Sequence, residues 1–245
     1  MSGQPSLSQR LHEDLAQLIA ATQPGGRLPA EPELARRLNV SRATLREAMR
    51  TFETQGFLYR RQGSGTFVTH PSQVIESGLE VLESIETLAA RIGLPVTMGE
   101  MRVDRRAASP VEAQALGMTP GADGTLANIL CISRVILAHN HPVAYLIDTL
   151  PEDILAVDEV QPGFTGSVLD LLMRRGSPKL SSSRCDISAV TATRDIAHAM
   201  RIQRGDVLLR FEAYLYAVDG RAVDYSFSYF LPGTFRFHVV RRIEM

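Results

Sequence analysis

Leu7, Leu11, Leu15, Leu18 and Ile19 recur at three- and four-residue spacing, which predicts an amphipathic helix over residues 6–21. Pro24-Gly25-Gly26 ends it. A second, short helix is expected from near Pro32, a good first-turn residue, to around Asn39, with Leu34 and Leu38 inward. Ser41 is placed to cap a third helix that runs to about Gln55 and closes at Gly56. The pattern then changes. Phe57-Leu58-Tyr59-Arg60-Arg61 and Thr66-Phe67-Val68-Thr69, joined by Gln62-Gly63-Ser64-Gly65, predict a β-hairpin. The order is three helices and a two-stranded wing.

Periodicity is weak over residues 71–80, which Pro71 opens, and this stretch is expected to be a linker. Beyond it the chain repeats itself at a period of about 80 residues. Ala113 to Gly121 (AQALGMTPG) resembles Ala197 to Gly205 (AHAMRIQRG). A short strand precedes each copy, at 98–104 and 184–190, and an apolar strand, a turn and a second strand follow each. The first of these spans 126–138 and 143–149 across His139-Asn140-His141; the second spans 207–217 and 222–229 across Asp219-Gly220. Further helices are expected at 80–91 and 167–175. Two β-α-β-β units predict an α+β fold whose second part is a six-stranded, mainly antiparallel sheet with helices on one face. The expected organisation is a domain at 1–70, a linker at 71–80 and a domain at 81–245.

Composition narrows the class. The 245 residues suit two domains, and 44% hydrophobic with 22% charged residues exclude disordered and collagen-like chains. No apolar run approaches the ~20 residues of a membrane span, and there is no signal-peptide pattern, so a cytoplasmic protein is expected. Cys131 and Cys185 fit no disulfide or zinc spacing, and Cys131 is expected in the core. His139 and His141 are read as a solvated turn, with Asn140 at a position favouring positive φ. Met49 and Met173 are expected in the core, and Asp148 and Asp170 at the surface or in caps. No catalytic triad, P-loop or dinucleotide fingerprint is present, and no cofactor is expected. The net charge is only −1, but residues 1–70 hold nine Arg against six acidic residues, leaving the remainder mildly acidic. A basic head suits an acidic partner.

The third helix carries the candidate chemistry. Arg42, Arg46 and Arg50 are spaced i, i+4, i+8 and share one narrow face, while Leu45, Ala48, Met49 and Phe52 occupy the other. A guanidinium fork can pair with guanine O6 and N7 or with phosphate. Ser41 and Thr44 stand at the helix start, where hydroxyls and backbone N–H groups reach phosphate oxygens. With the short helix before it this is a helix-turn-helix, and Arg61, Gln62, Gly63, Ser64 and Gly65 form a wing beside it. A solvated arginine face on an ordinary three-helix subdomain is the plainer alternative. The succession of stripe, hydroxyls, turn and glycine-rich wing favours binding to double-stranded DNA.

Arg27-Leu28-Pro29-Ala30-Glu31, Val40-Ser41-Arg42-Ala43-Thr44-Leu45-Arg46-Glu47-Ala48 and Arg61-Gln62-Gly63-Ser64-Gly65-Thr66-Phe67-Val68 resemble the winged-helix head of the GntR family of bacterial transcription regulators. The resemblance implies operator contacts from Arg42, Thr44 and Arg46, with Ser41 and the Gln62–Gly65 tip beside them. The family usually has Arg where this chain has Pro32; Arg36 or Arg37, a turn later, is the substitute.

The rest of the chain resembles, more loosely, the UTRA ligand-sensing domain of the HutC subfamily, which shares its fold with chorismate lyase. Ile132-Ser133-Arg134, Pro142-Val143-Ala144-Tyr145, Leu150-Pro151, Gly166-Ser167, Val223-Asp224-Tyr225-Ser226 and Phe235-Arg236-Phe237 carry the likeness. It implies a small-molecule effector held by Ser84, Arg134, Ser167 and Asp224. Arg134 lies in an apolar strand and needs an anionic partner, either the effector or Asp224. Ile136, Leu146, Leu169 and Glu86 replace residues that sugar-phosphate sensors of this kind carry, which implies an effector with at most one anionic group and an apolar part. The expectation is a homodimeric repressor that reads a pseudo-palindrome and is released by its effector. The rivals are an effector-independent regulator with a degenerate sensor, and an enzyme with lyase chemistry.

Overall fold

A computed structural model describes residues 7–23, 25–54, 57–61, 64–68, 75–91, 93–160, 164 and 166–239. They fall into two compact units. One comprises the chain up to Val74 with Leu231–Arg236, the other Ile75–Phe230 and the chain from Phe237.

The first unit holds α1 (Leu7–Ala21), α2 (Glu31–Arg37), α3 (Arg42–Thr54) and the hairpin β1 (Leu58–Arg61) and β2 (Gly65–Val68). Leu11, Leu15 and Ile19 of α1, Leu34 of α2, and Leu45, Met49 and Phe52 of α3 enclose one core with Leu28, Leu58 and Val68. Leu7, on the expected apolar stripe, is exposed. His12 of α1 stacks on Phe52 of α3 with ring centroids 4.4 Å apart. The hairpin gains a third partner that periodicity did not reveal. Gly25 and Leu28 N–H groups donate to the Val68 and Thr66 carbonyls at 2.9 and 2.8 Å. The segment after α1 therefore lies along β2 and ties the wing to the helices.

The second unit is ordered β3 (Ile75–Gly78), α4 (Ile85–Arg91), β4 (Val96–Ala107), α5 (Pro110–Ala115), β5 (Asn128–Ala138), β6 (His141–Pro151), a 3₁₀ turn at Val157–Val160, α6 (Val168–Arg175), β7 (Leu180–Thr191), α7 (Arg194–Met200), β8 (Val207–Ala217), β9 (Ala222–Phe230) and β10 (Phe235–His238). Six strands form one sheet in the order β4-β5-β6-β9-β8-β7, every neighbouring pair antiparallel. The sequence repeat is visible in it: β4-α5-β5-β6 and β7-α7-β8-β9 are two copies whose last strands meet at the centre. The helix of each copy packs on the last strand of the other, α5 on β9 and α7 on β6.

Several expectations need correction. Helices cover both faces of the sheet. Val168 and Leu172 of α6 pack with Leu130, Ile132, Leu150 and Leu215, whereas Ala113 and Leu116 of and after α5 pack with Ile129 and Tyr225 on the opposite face. Alternate residues of the central strands are therefore buried on both sides. Residues 75–78 of the expected linker form β3, which pairs with β10, a partner far away in sequence. Residues 71–74 lie outside the described residues. The helix expected from residue 80 starts at Ile85 because Ser84 caps it: Thr87 N–H donates to Ser84 Oγ at 3.0 Å. Met173 is 60% exposed, because α6 turns Leu172 inward and its neighbour outward. Cys131 is only half-buried. Both edge strands are longer than expected, since polar edge positions carry no hydrophobic signal. His139 and Asn140 both have positive φ, 49° and 64°, as a tight hairpin turn requires.

Leu45 is completely buried beneath α3. Leu45→Ala is expected to destabilise the head by about 2–5 kcal/mol, measured by chemical denaturation.

Candidate nucleic-acid interface and effector site

The helix-turn-helix starts from its turn. Asn39 takes φ 51°, ending α2, and Val40 N–H returns to the Ala35 carbonyl at 3.0 Å. Ser41 then caps α3: Thr44 N–H donates to Ser41 Oγ at 3.0 Å, and the two hydroxyls lie 2.8 Å apart. Ser41, Arg42, Thr44 and Arg46 are all exposed, while Leu45 and Met49 of the same helix are buried and anchor it to the core. An open groove between α2 and the start of α3 has Pro32, Arg36, Asn39, Ser41 and Arg42 among its walls.

Arg46 is held in place. Its Nε donates to Glu31 Oε2 at 2.6 Å, and Arg60 Nη2 lies 2.9 Å from Glu31 Oε1 and 3.2 Å from Glu53. Glu31, only 17% exposed, thus links α2, α3 and the wing and orients two guanidinium groups. Exposed pairs add little stability, so the value of this network is positional. Burial raises the Glu53 carboxyl above its ordinary range, with Arg60 opposing. Arg36 turns back, its Nε donating to the Pro32 carbonyl of its own helix at 3.3 Å.

At the wing, Arg61 closes the hairpin opposite Gly65, and Ser64 precedes the returning strand. Gln62 and Gly63 lie outside the described residues. Gly65 has φ +117°, and a Cβ there would sit 2.7 Å from Arg27 Nε. The Arg27 guanidinium thus lies against the wing, a cation the sequence reading did not assign to the interface. Glu31 and Arg60 were also missed as positioning groups; the spacing of isolated charges says nothing of contacts between elements.

The second cluster sits on one face of the central sheet. Register places Arg134 of β5 opposite Leu146 of β6, and Asp148 two residues on from Leu146. Asp148 in turn lies opposite Ser226 of β9, two residues from Asp224. Arg134, Asp148 and Asp224 form a diagonal row across three neighbouring strands, 4%, 9% and 5% exposed. The expected Arg134–Asp224 pair is corrected: Arg134 Nη1 donates to Asp148 Oδ2. Strand β6 lies between β5 and β9, so Asp148 reaches the guanidinium first, and the expected surface position of Asp148 is overturned with it. Asp224 instead accepts the Thr149 N–H at 3.1 Å. Burial and then the charge of Asp148 push the Asp224 carboxyl well above its ordinary range, which favours its neutral form. The Phe164 ring covers Arg134 with its centroid 5.8 Å from the guanidinium carbon.

Ser84 and Ser167 belong to the same neighbourhood as helix caps. Ser84 Oγ donates to Asp170 Oδ2 at 2.7 Å or to Thr87 Oγ1 at 2.9 Å. Ser167 Oγ accepts the Asp170 N–H at 3.0 Å. Asp170, in the first turn of α6 and expected at the surface or in a cap, is itself capped by Ser167, and its carboxylate ties α6 to Ser84. Glu86, in the first turn of α4, lies under the turn at Gly166. Its carboxyl is raised, first by burial, with Arg134 opposing and Asp170 and Asp148 adding to the rise. Among the described residues no group of three or more His, Cys, Asp and Glu side chains is arranged to hold a metal ion.

Comparison with known proteins identifies both parts of the chain. Residues 7–68 match the bacterial regulatory proteins of the gntR family. Residues 124–236 match the UTRA domain. Together these span most of the chain, which belongs to the gntR family of DNA-binding transcription regulators and carries a UTRA domain. It is 29% identical over 243 residues to the HTH-type transcriptional regulator Rv0792c of Mycobacterium tuberculosis, covering 97% of this chain and 86% of that one. It is 29% identical over 224 residues to the HTH-type transcriptional repressor NagR of Bacillus subtilis, covering 91% and 88%. The fold resembles the crystal structure of PhnF from Mycobacterium smegmatis, with a TM-score of 0.65 at 21% identity over 96% of this chain and all of that one. The family is one of regulators, not enzymes.

Asp148→Asn leaves a buried guanidinium without its counter-charge and is expected to destabilise the protein by about 3–5 kcal/mol. Asp224→Asn replaces a neutral acid with a neutral amide and should lie within about 1 kcal/mol of wild type. Denaturant titrations of both check which carboxyl carries the proton. Glu86 has a folded pKa raised above its unfolded value, so its contribution is present at low pH and lost as pH rises through the folded value. Glu86→Gln should therefore gain melting temperature over wild type as pH rises above the ordinary glutamate range.

Proposed function

We propose that this chain is a cytoplasmic, homodimeric repressor whose operator binding is relieved by a small-molecule effector in the UTRA domain. The reading divides it into a DNA-binding head at 1–70, a connection at 71–80 and an effector-binding, dimerising domain at 81–245. The observation that carries it is the exposed set of Ser41, Arg42, Thr44 and Arg46 at the start of α3, a helix anchored in the core by the fully buried Leu45 and Met49. Such a helix docks into a major groove as a rigid body, its guanidinium groups reading bases and its hydroxyl start meeting phosphate. Arg36, Arg61, Gln62, Gly63, Ser64 and Gly65 are the further residues this reading assigns to the DNA. Two heads related by a two-fold axis read a pseudo-palindrome with half-sites about one helical turn apart. The names of NagR and of the fructoselysine utilization operon repressor of Escherichia coli, 27% identical over 222 residues, support repression.

In the UTRA domain Ser84, Arg134, Ser167 and Asp224 surround the effector. The effector acts by differential binding: it favours the arrangement of the dimer whose heads no longer match the operator, and operator affinity falls by that difference. Among the described residues no helix is long and apolar enough to cross a membrane.

Arg42→Ala is expected to weaken operator binding by about 1–3 kcal/mol and to relax preference at one base position of each half-site. Loss of a phosphate contact instead weakens all sequences alike and lowers the salt dependence. Electrophoretic or fluorescence titrations on operator and scrambled DNA separate the two. Unchanged operator affinity in an Arg42→Ala, Arg46→Ala double variant overturns the docking arrangement.

A further inference from the structure

Nearly every polar group of the sheet-face cluster already has a partner inside the protein. Arg134 Nη1 is bound to Asp148, Asp224 to the Thr149 N–H, Ser84 to Asp170, and Ser167 to the Asp170 N–H. Two buried atoms in it have none: Glu86 Oε1 and Arg134 Nε. One is an acceptor on an acid and the other a donor on a base, yet they do not bond to each other. Leaving such groups unsatisfied is costly, and a site that keeps both open is completed by something else. The backbone also makes room for Glu86. Gly166 has φ +108°, and a Cβ there would stand 2.7 Å from Glu86 Oε1. Any other residue at position 166 would be strained and would crowd the carboxylate.

Resting on the effector reading above, we propose that Glu86 selects the effector. The ligand carries a protonated nitrogen, as an amine or amidine, that docks on Glu86 Oε1, and an acceptor, as a carboxylate or carbonyl, that takes the unused Nε–H of Arg134. The charge inventory agrees. The groups facing Glu86 are Arg134 from β5, Asp148 from β6 and Asp170 from α6, with Asp224 beyond them on β9. On and beside its own helix, Glu83 and Arg91 are paired with each other. The cationic Arg134 is already neutralised by Asp148, so a phosphate dianion would meet an unpaired carboxylate with no free positive charge to offset it. A cationic nitrogen meets the reverse. Its binding holds Glu86 ionised, so affinity rises with pH through the raised pKa of Glu86, and the protonated fraction of Glu86 releases its proton on binding.

The test uses the full-length wild type and Glu86→Gln with a metabolite library sorted by charge. Phosphates are represented by inorganic phosphate and glucose 6-phosphate. Amine-free acids are represented by acetate and benzoate, and amine-bearing acids by arginine, lysine, histidine and 4-aminobutyrate. Melting temperature and operator affinity are read for each, and hits go to calorimetry in buffers of different ionisation enthalpy. The expected result is that amine- or amidine-bearing compounds alone stabilise the wild type and weaken operator binding. Their calorimetry shows proton release, and Glu86→Gln binds them at least tenfold more weakly. Response only to phosphates or amine-free acids, or undiminished amine binding by Glu86→Gln, overturns the role of Glu86 and leaves effector control standing. Silence from all three classes removes effector control itself, and this inference with it.

Discussion

A guanidinium in the middle of a sheet must have a counter-charge, and the second unit is arranged around that requirement. Arg134 lies on an inner strand with apolar neighbours, and the pair with Asp148 across β5 and β6 is what makes its burial tolerable. The pair constrains everything beside it. Burial and the charge of Asp148 push Asp224 toward its neutral form, and it accepts the Thr149 N–H. Ser84 and Ser167 are occupied in capping the helices that cover this face. What remains available is a short polarised stretch with one free donor and one free acceptor. A sensor needs groups of that kind: committed enough to be rigid, incomplete enough to respond.

The head solves a different problem with the same economy. DNA recognition requires cations held in register, while stability requires an apolar helix face. Helix α3 supplies both: Arg42 and Arg46 are exposed, while Leu45, Met49 and Phe52 are buried. Glu31 then restrains Arg46 and Arg60 together, so that two long side chains of the head are already partly ordered. The strand-like segment after α1 fastens the wing, and Arg27 lies against it at Gly65.

Much of this was legible in the order of residues. Local elements followed from periodicity, caps and glycines, and the internal repeat disclosed the β-α-β-β pairs before any coordinates. The failures share a cause. Met173, Asp148 and the helices on both sheet faces were misjudged because strands buried on both sides lose their alternation, and a short helix offers too few residues to fix its inward face. The pairing of β3 with β10, the segment along β2, and the Glu31 network join residues far apart in sequence, for which local pattern carries no signal.

The sequence by itself determined which elements form, that a basic reading helix precedes a repeated sheet, and that one arginine in the sheet would need an acid. Those are consequences of neighbours along the chain, where hydrophobic spacing and capping act over a few residues. Only the tertiary structure decided which acid. The strand order β5-β6-β9 inserts Asp148 between Arg134 and Asp224, and a charge buried in a low-dielectric interior pairs with the counter-charge that lies nearest in space.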